Sequence, residues 1–339
     1  MMKPHELSDR YISEQWAGIP SAIYERRAAT AGKPAVTYRL AGDSYLLVEF
    51  GGMDFDLHLN FFVHNINGHL NQSRPPGLIE TSPGFRSILL SYDPAKINVA
   101  NLVVALDDAY DNASGTENLV LPSRRVNLPA AFNDSTAKAA VARYVRSIRS
   151  DAPNCRNDNN VDYTIAYNGL ADLDELIEVV TGTELWVGFI GFFPGLPFTF
   201  PLDPRRVLFA PKYNPTRTWT AEGAIGLGGP CYSIYPVESP GGYQLLGRTL
   251  PVYDIQQRNP AFAESPLLLR PCDRIRFHEV SEQELLESFE AVHKGEYVYD
   301  IREEDFDVAT YNSWCASLSA EAAEFAAKRD AAAAATAVP

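Results

Sequence analysis

The sequence has few cysteines, and they are far apart. The chain of 339 residues contains four, none of which forms a CxxC pair: Cys155, Cys231, Cys272 and Cys315. So low a number at such spacing indicates a reducing compartment rather than a disulfide framework. We therefore expect each thiol to serve as a small buried hydrophobic group.

Long apolar runs are also absent. No window approaches the roughly 20 apolar residues that a membrane-spanning helix needs. No apolar run follows Lys3 near the N-terminus, as a signal peptide would require. These absences predict a cytoplasmic protein that has no membrane partner.

Positive charge is scarce. The formal net charge is −14, which argues against nucleic acid as a partner because phosphate binding needs clustered Lys and Arg. The excess is concentrated near the C-terminus, where the residues from Glu279 onward include 14 acidic and 4 basic ones. This region is either a solvated helical tail or a connector to another module.

Several sites for common chemistries are missing as well. His58, His64 and His69 are spaced so that no two share one helical turn, which predicts histidines on a helix surface and no metal site. No G-x-S-x-G motif is present to carry a hydrolase nucleophile. The glycines at 226, 228 and 229 lack the spacing of a phosphate loop, so we expect a β-bulge or a close backbone approach to a ligand there.

The hydrophobic pattern predicts an α+β fold in four regions. Residues 1–35 form a polar lead-in segment. Residues 36–120 carry a hairpin (36–40 and 45–50), a helix (56–71), a strand (85–92) and a second helix (99–110), which together predict a ferredoxin-like α+β lobe.

The rest of the chain changes character twice. Residues 121–280 begin with a strand and two helices (135–150 and 170–181), and then short apolar runs alternate with Pro and Gly, which is typical of a closed or partly closed β-barrel. Residues 281–339 predict an acidic helical tail. It begins with a capping box at Ser281 and Glu284, includes a second helix over 307–328, and frays over the alanine-rich end at 331–339.

Polar residues among turn-forming Gly and Pro residues mark the candidate site, over residues 211–219 and 238–249. Lys212, Arg217 and Arg248 are cations that a carboxylate, phosphate or carboxylated ureido group would need. Amides and hydroxyls that suit a small polar substrate, and two possible proton acceptors, stand beside them. The amides are Asn214 and Gln244, the hydroxyl is Thr218, and the proton acceptors are Tyr213 and Glu238.

The run 187–198 is rich in phenylalanine. Phe189 and Phe193 either belong to the barrel core or line an apolar pocket. The prediction as a whole requires the cations and amides to converge on one cavity inside the barrel.

The same segments resemble a known family. Residues 212–220, the glycines at 226–229, residues 238–244 and Gly247-Arg248-Thr249 are similar to the carboxyltransferase region of urea carboxylase and urea amidolyase. They resemble more loosely allophanate hydrolase subunit 1, the Kip-inhibitor-like family that also supplies a 5-oxoprolinase subunit. The likeness extends over roughly residues 36–329.

The resemblance implies a cyclophilin-like β-barrel after the ferredoxin-like lobe, and a site that passes a carboxyl group from carboxybiotin to a urea-like nitrogen. Lys212 or Arg248 would stabilise the ureido oxyanion that is left behind. Asn214, Gln244 and Glu238 would hold the acceptor nitrogen, and one of them would help to remove its proton.

The sequence also departs from the family. It shows no ATP-binding biotin carboxylase region and no Ala-Met-Lys-Met biotinylation motif, so we expect no cofactor bound by this chain and a biotin carrier protein and a second half-domain as partners. The phenylalanine-rich strand within 187–198 is a poor match for urea, because urea is small and wholly polar. Two alternatives therefore stay open. The first is a stand-alone enzyme that acts on a larger apolar molecule without biotin, as in a biosynthetic pathway. The second is a non-catalytic regulatory module.

Overall fold

A computed structural model describes residues 22–339 of the chain. The chain divides into two compact units. Among the described residues, the first contains residues 22–59 together with Ile66–Ala113, and the second contains Asn60–Asn65 together with Ser114–Pro339. The predicted boundaries at 120 and 280 are not tested by this division and stay predictions. Most of the predicted lead-in, residues 1–21, lies outside the described residues.

The first unit is an antiparallel sheet with one whole helix and the two ends of another, whose middle, Asn60–Asn65, belongs to the second unit. Its strand order is β1-β2-β3-β5-β4. The strands are β1 (Ile23–Arg27), β2 (Val36–Leu40), β3 (Tyr45–Phe50), β4 (Leu78–Pro83) and β5 (Ser87–Tyr92), and the helices are α1 (Leu57–Gln72) and α2 (Val99–Asn112).

Local pattern determines most of these elements. The predicted hairpin is confirmed by the pairing of β2 with β3, and both helices begin at a side chain that caps them, Asp56 for α1 and Asn98 for α2. The ferredoxin-like description is not confirmed. In a βαββαβ unit, the last strand of the unit lies beside the first strand. Here β3 corresponds to the first strand, and the strand in that position beside it is β2, which precedes β3 in the chain.

The second unit contains a closed β-barrel of seven strands, which is consistent with a cyclophilin-like fold. Its strands follow one another around the ring in the order β14-β11-β12-β9-β8-β15-β7, and β7 pairs with β14 to close it. The ring strands are β7 (Arg124–Phe132), β8 (Leu185–Ile190), β9 (Pro197–Pro201), β11 (Ala224–Gly228), β12 (Cys231–Ile234), β14 (Gln244–Thr249) and β15 (Arg274–Glu279).

Ring closure depends on one long strand and one glycine. β7 pairs in parallel with β15 along one edge, and along the other edge it pairs with β14 near its end and with β16 (Asp300–Glu303) near its start. A Cβ atom on Gly247 would lie 2.1 Å from the Ala131 carbonyl oxygen, so only glycine permits this approach of β14 to β7.

Helices and short strands surround the barrel. The short strands are β6 (Val120–Leu121), which pairs with β17 (Phe306–Asp307), and β10 (Arg217–Thr220), which pairs with β13 (Ser239–Gly241). The helices are α3 (Ser135–Ser147), α4 (Val161–Asn168), α5 (Leu173–Thr181), α6 (Glu282–Lys294), α7 (Val308–Ser317) and α8 (Ser319–Ala335).

The C-terminal region differs from the predicted helical tail. Strand β16 joins the barrel sheet, and the predicted helix over 307–328 is two helices that meet at Leu318. The predicted fraying from residue 331 is wrong, because α8 continues to Ala335 through alanines, the residues with the highest helix propensity. Among the described residues no helix combines the length and the hydropathy that crossing a bilayer demands.

Candidate functional site

A cavity of about 220 Å³ lies in the second unit, where the strand pair β10–β13 meets the barrel. Its wall combines aromatic, polar and glycine residues and includes no Asp or Glu. The lining residues are Phe192, Leu196, Phe198, Lys212, Thr216, Ser233, Tyr235, Gly241, Gly242 and Tyr243.

Lys212 is the cation of this cavity. Its side chain is exposed, and its ammonium nitrogen lies 5.3 Å from the centre of the Tyr243 ring. Within residues 22–339, no carboxylate lies within ion-pair distance of it. The ammonium group is therefore available to an anionic ligand.

Tyr243 occupies space that two glycines leave open. A Cβ on Gly228 would lie 2.4 Å from the Tyr243 ring, and one on Gly226 would lie 2.8 Å from the Tyr243 Cβ. The pairing of β11 with β14 also shifts register between Ile225 and Gly226. The register shift agrees with the predicted β-bulge, whereas the group that approaches these glycines is a tyrosine ring of the same chain and not the predicted ligand.

Arg217 is buried behind the cavity rather than in its wall. Its side chain donates to the Tyr243 carbonyl oxygen at 2.6 Å and to Thr220 Oγ1 at 3.2 Å, and it lies 4.4 Å from the centre of the Tyr213 ring. Its Nε atom has no hydrogen-bond partner, and no carboxylate of the described chain pairs with it. The predicted direct contact with substrate is therefore not supported by its place in the fold.

Tyr213 and Gln244 are buried parts of the scaffold. The Tyr213 hydroxyl donates to Asn160 Oδ1 at 2.8 Å, and burial raises its pKa, so it remains protonated and is a poor proton acceptor. Gln244 accepts from Asn154 Nδ2 at 3.0 Å and donates to the Pro211 carbonyl oxygen at 2.6 Å. Both residues hold the loop that carries Lys212, because buried polar groups must find partners.

Arg248 and Glu238 lie away from the cavity. Arg248 covers the Phe289 ring at 4.2 Å and donates to the Glu222 carbonyl oxygen at 2.8 Å. Glu238 is exposed and does not line the cavity. It lies near Glu222, whose pKa is raised mainly by burial and slightly by the Glu238 charge. The expected convergence of the cations and amides on one cavity is therefore wrong, since only Lys212 among them lines it.

The remaining predicted residues flank the cavity. Asn214 and Thr218 are exposed, and the Asn214 carbonyl oxygen accepts from Arg149 Nη1 at 2.8 Å. Phe189 stacks on Phe198 with ring centres 4.4 Å apart, and Phe193 packs on a buried cluster of the barrel. The roles assigned to these residues stay predictions.

Sequence reasoning missed most of the cavity wall. Phe192 and Phe198 line it instead of Phe189 and Phe193, because β8 shifts register between Val187 and Phe189 and the chain then turns at Phe192, whose φ of 68° is left-handed. Tyr235 also lines it. The glycine at 241 was the available signal, since a Cβ there would lie 2.3 Å from the Tyr235 hydroxyl.

A larger cavity of about 460 Å³ lies elsewhere in the second unit. Several charged side chains of its wall form ion pairs with one another. Arg274 pairs with Glu184 at 3.4 Å and with Glu304 at 3.5 Å, and Arg125 pairs with Glu304 at 3.0 Å. A charged group that already has a partner gains less from a ligand, so the smaller cavity is the better candidate, because its lysine has no carboxylate partner in the part of the chain that the structure describes.

Other candidate chemistries gain no support. Burial raises the pKa of the Cys231 thiol to about 12, so this thiol is inert at neutral pH. No group of three or more His, Cys, Asp or Glu side chains suits a metal ion in the part of the chain that the structure describes. His64 is buried, at 8% exposure, and its Nε2 donates to the Gly188 carbonyl oxygen at 2.6 Å, so the predicted surface position is wrong for this histidine.

Comparison with known proteins places the chain in a family. Residues 36–263 match the family described as carboxyltransferase domain, subdomain C and D. The chain is 37% identical over 281 residues to urea amidolyase of Lachancea kluyveri, covering 83% of this chain and 15% of that protein. It is 26% identical to a 5-oxoprolinase subunit of Bacillus subtilis, covering 72% of this chain and 92% of that protein.

A solved structure agrees with the sequence comparison. The crystal structure of the K. lactis urea amidolyase superposes with a TM-score of 0.82 at 34% identity, covering 94% of this chain and 19% of that one. The chain thus spans less than a fifth of the length of these urea amidolyases. On the match of residues 36–263, this chain belongs to the family of carboxyltransferase domains that comprises subdomains C and D.

Proposed function

We propose that the chain supplies one half of a carboxyltransferase site, which passes a carboxyl group from carboxybiotin on a partner chain to a urea-like nitrogen. The observation that carries this proposal is the similarity to urea amidolyase along most of the chain. We also infer that the first unit is a rearranged ferredoxin-like sheet, because its strands β2-β3-β5-β4 have the neighbour order of that fold.

The cavity fits a flat, negatively charged group. Its walls include the rings of Phe192 and Phe198, and its unpaired cation is Lys212. Carboxybiotin would supply the carboxyl group. Lys212 would hold the anionic oxygen, and the aromatic walls would exclude water and thereby strengthen the attraction to the ammonium group.

The described cavity lacks a side-chain base that could assist proton removal. The acceptor nitrogen must lose a proton as it takes up the carboxyl group. No Asp, Glu or His lines the cavity, and the predicted base Glu238 does not reach it. The proton would end on the biotin nitrogen that gives up the carboxyl group, transferred directly or through a group of the partner half-domain, and a biotin carrier protein would deliver the carboxyl donor.

A 5-oxoprolinase type of function is the second candidate. The similarity to the 5-oxoprolinase subunit of Bacillus subtilis covers nearly the whole of that protein, whereas the urea amidolyases are several times longer than this chain. The stand-alone alternative loses part of its motivation, because Phe189 is explained by stacking on Phe198.

Reconstitution tests both candidates. The chain is mixed with a biotin carboxylase, a biotinylated carrier and the complementary half-domain, and ATP hydrolysis is measured with urea, guanidine or 5-oxoproline. We expect hydrolysis that depends on urea and on this chain. Dependence on 5-oxoproline alone would favour the second candidate, and no response to any substrate would contradict both.

A further inference from the structure

The hydroxyl group of Tyr235 lies at the edge of the cavity. A Cβ on Gly241 would lie 2.3 Å from this oxygen, and Gly241 itself lines the cavity. The absence of a side chain at Gly241 therefore leaves room for the Tyr235 hydroxyl group. The phenol and the Lys212 ammonium group belong to the same wall.

Two donor groups lie near the Tyr235 phenol, the Arg217 guanidinium and the Tyr243 N–H. Burial raises the pKa of Tyr235, and the nearness of these two groups acts in the opposite direction. Arginine has donors only, so it cannot accept the phenol hydrogen. No acceptor for that hydrogen is found among residues 22–339, and the hydrogen is therefore free to point to a ligand.

The position of the Arg217 guanidinium is fixed by hydrogen bonds, so it can orient the Tyr235 phenol. It is 1% exposed, and its two contacts with the Tyr243 carbonyl oxygen and Thr220 Oγ1 determine where the guanidinium lies. Its positive charge has no carboxylate partner in the described chain. A buried unpaired cation favours negative charge nearby, and the Tyr235 and Tyr243 residues beside Arg217 line the cavity.

We propose that Tyr235 donates a hydrogen bond to a negatively charged oxygen of the ligand beside Lys212, and that Arg217 is the positioning residue for this phenol. The ligand class is a small carboxylate with a flat apolar body, which suits the walls of Phe192 and Phe198. The inference rests on the proposed function in locating the ligand in this cavity, but it does not depend on carboxyl transfer.

The polarity of the wall explains why an anion is preferred to a neutral amide. Tyr235, Lys212 and Arg217 offer hydrogen-bond donors or positive charge. No carboxylate lines the cavity to accept from the N–H groups of an amide. Hydrogen bonds to a charged acceptor are about twice as strong as neutral ones, so the donor set discriminates by charge.

Benzoate and benzamide provide a matched pair of probes with the same ring and different charge. Calorimetric titration of the full chain should show tighter binding of benzoate. Tyr235→Phe should weaken benzoate about tenfold and change benzamide less than about threefold, since one hydrogen bond to a charged group is lost. Tyr232→Phe is the control, because it removes a buried tyrosine hydroxyl that does not line the cavity.

Arg217→Lys tests the positioning role, because it keeps the charge and loses the second donor of the fork. It should weaken benzoate selectively. Equal weakening of both probes would overturn the role of Arg217. The proposal for Tyr235 is overturned if wild type binds neither probe or prefers benzamide, or if Tyr235→Phe leaves benzoate binding unchanged. The transfer assay can still succeed in each of these cases, so the two failures are distinguishable.

Discussion

At the scale of single residues, Lys212 differs from its buried neighbours in having no hydrogen-bond or ion-pair partner among residues 22–339. Arg217, Tyr213 and Gln244 are buried and make their hydrogen bonds inside the protein. Arg248 lies over Phe289. A side chain that makes its hydrogen bonds inside the protein supports the shape of the site. A side chain whose polar group has no such partner can bind a ligand.

The glycines of β11 define the place of Tyr243. Gly228→Ala would put a Cβ 2.4 Å from the Tyr243 ring, so we expect a loss of about 1–3 kcal/mol in the free energy of unfolding. Gly191→Ala is the matched control, because the nearest atom to its Cβ would be 3.7 Å away. Equal effects of the two substitutions in urea unfolding would contradict this explanation of the glycines.

The sequence located this region but did not separate binding residues from supporting ones. Partners determine that distinction, and they are distant in the chain: Asn154 and Gln244 are 90 residues apart, and Asn160 and Tyr213 are 53 apart. Lys212 was predicted because it stands between turn residues. Tyr235 was missed because the glycine that admits it, Gly241, belongs to another strand.

At the scale of elements, local pattern was a good guide and long-range pairing was not. The hairpin β2–β3 and the helices α1 and α2 follow from short-range periodicity. Ring closure depends on the parallel pairing of β7 with β15, about 150 residues later, which no local pattern reports.

The His64 imidazole donates to the Gly188 carbonyl oxygen, and both residues belong to the second unit. Burial lowers its pKa from 6.5 to about 4. The unfolded chain therefore binds more protons between these values, so stability is complete above pH 6.5 and falls as the pH drops towards 4, by up to about 3 kcal/mol.

Urea unfolding across this pH range measures the contribution of His64. His64→Gln keeps a donor but cannot titrate, so its stability should depend less on pH than that of wild type. His69→Gln, on the same helix, should retain the wild-type dependence. An unchanged slope in His64→Gln would sink this explanation.

The first turn of α6 contains the capping box that the sequence predicted. The Ser281 hydroxyl accepts from the Glu284 N–H at 3.2 Å, and the Glu284 carboxylate accepts from the Ser281 N–H at 2.9 Å. Ser281→Ala should lower the free energy of unfolding by about 1 kcal/mol. Ser313→Ala, inside α7, should change it little, and an equal loss there would argue against capping as the cause.

At the scale of the whole molecule, the acidic C-terminal region pairs with cations of its own second unit. Glu321 lies 2.9 Å from Arg205, and Glu303 lies 2.9 Å from Arg270. Neither predicted alternative, the solvated tail or the connector to another module, anticipated these contacts. Exposed pairs of this kind contribute little each, so they orient the segment more than they stabilise it.

The central claim is that Lys212 acts in carboxyl transfer within an assembly of partner proteins. The most direct measurement is urea-dependent ATP hydrolysis in the reconstituted mixture, comparing Lys212→Met with Lys138→Met, an exposed lysine of α3. We expect Lys212→Met to lower the rate at least about tenfold without loss of stability, and Lys138→Met to match wild type. Equal rates in all three proteins would contradict the account.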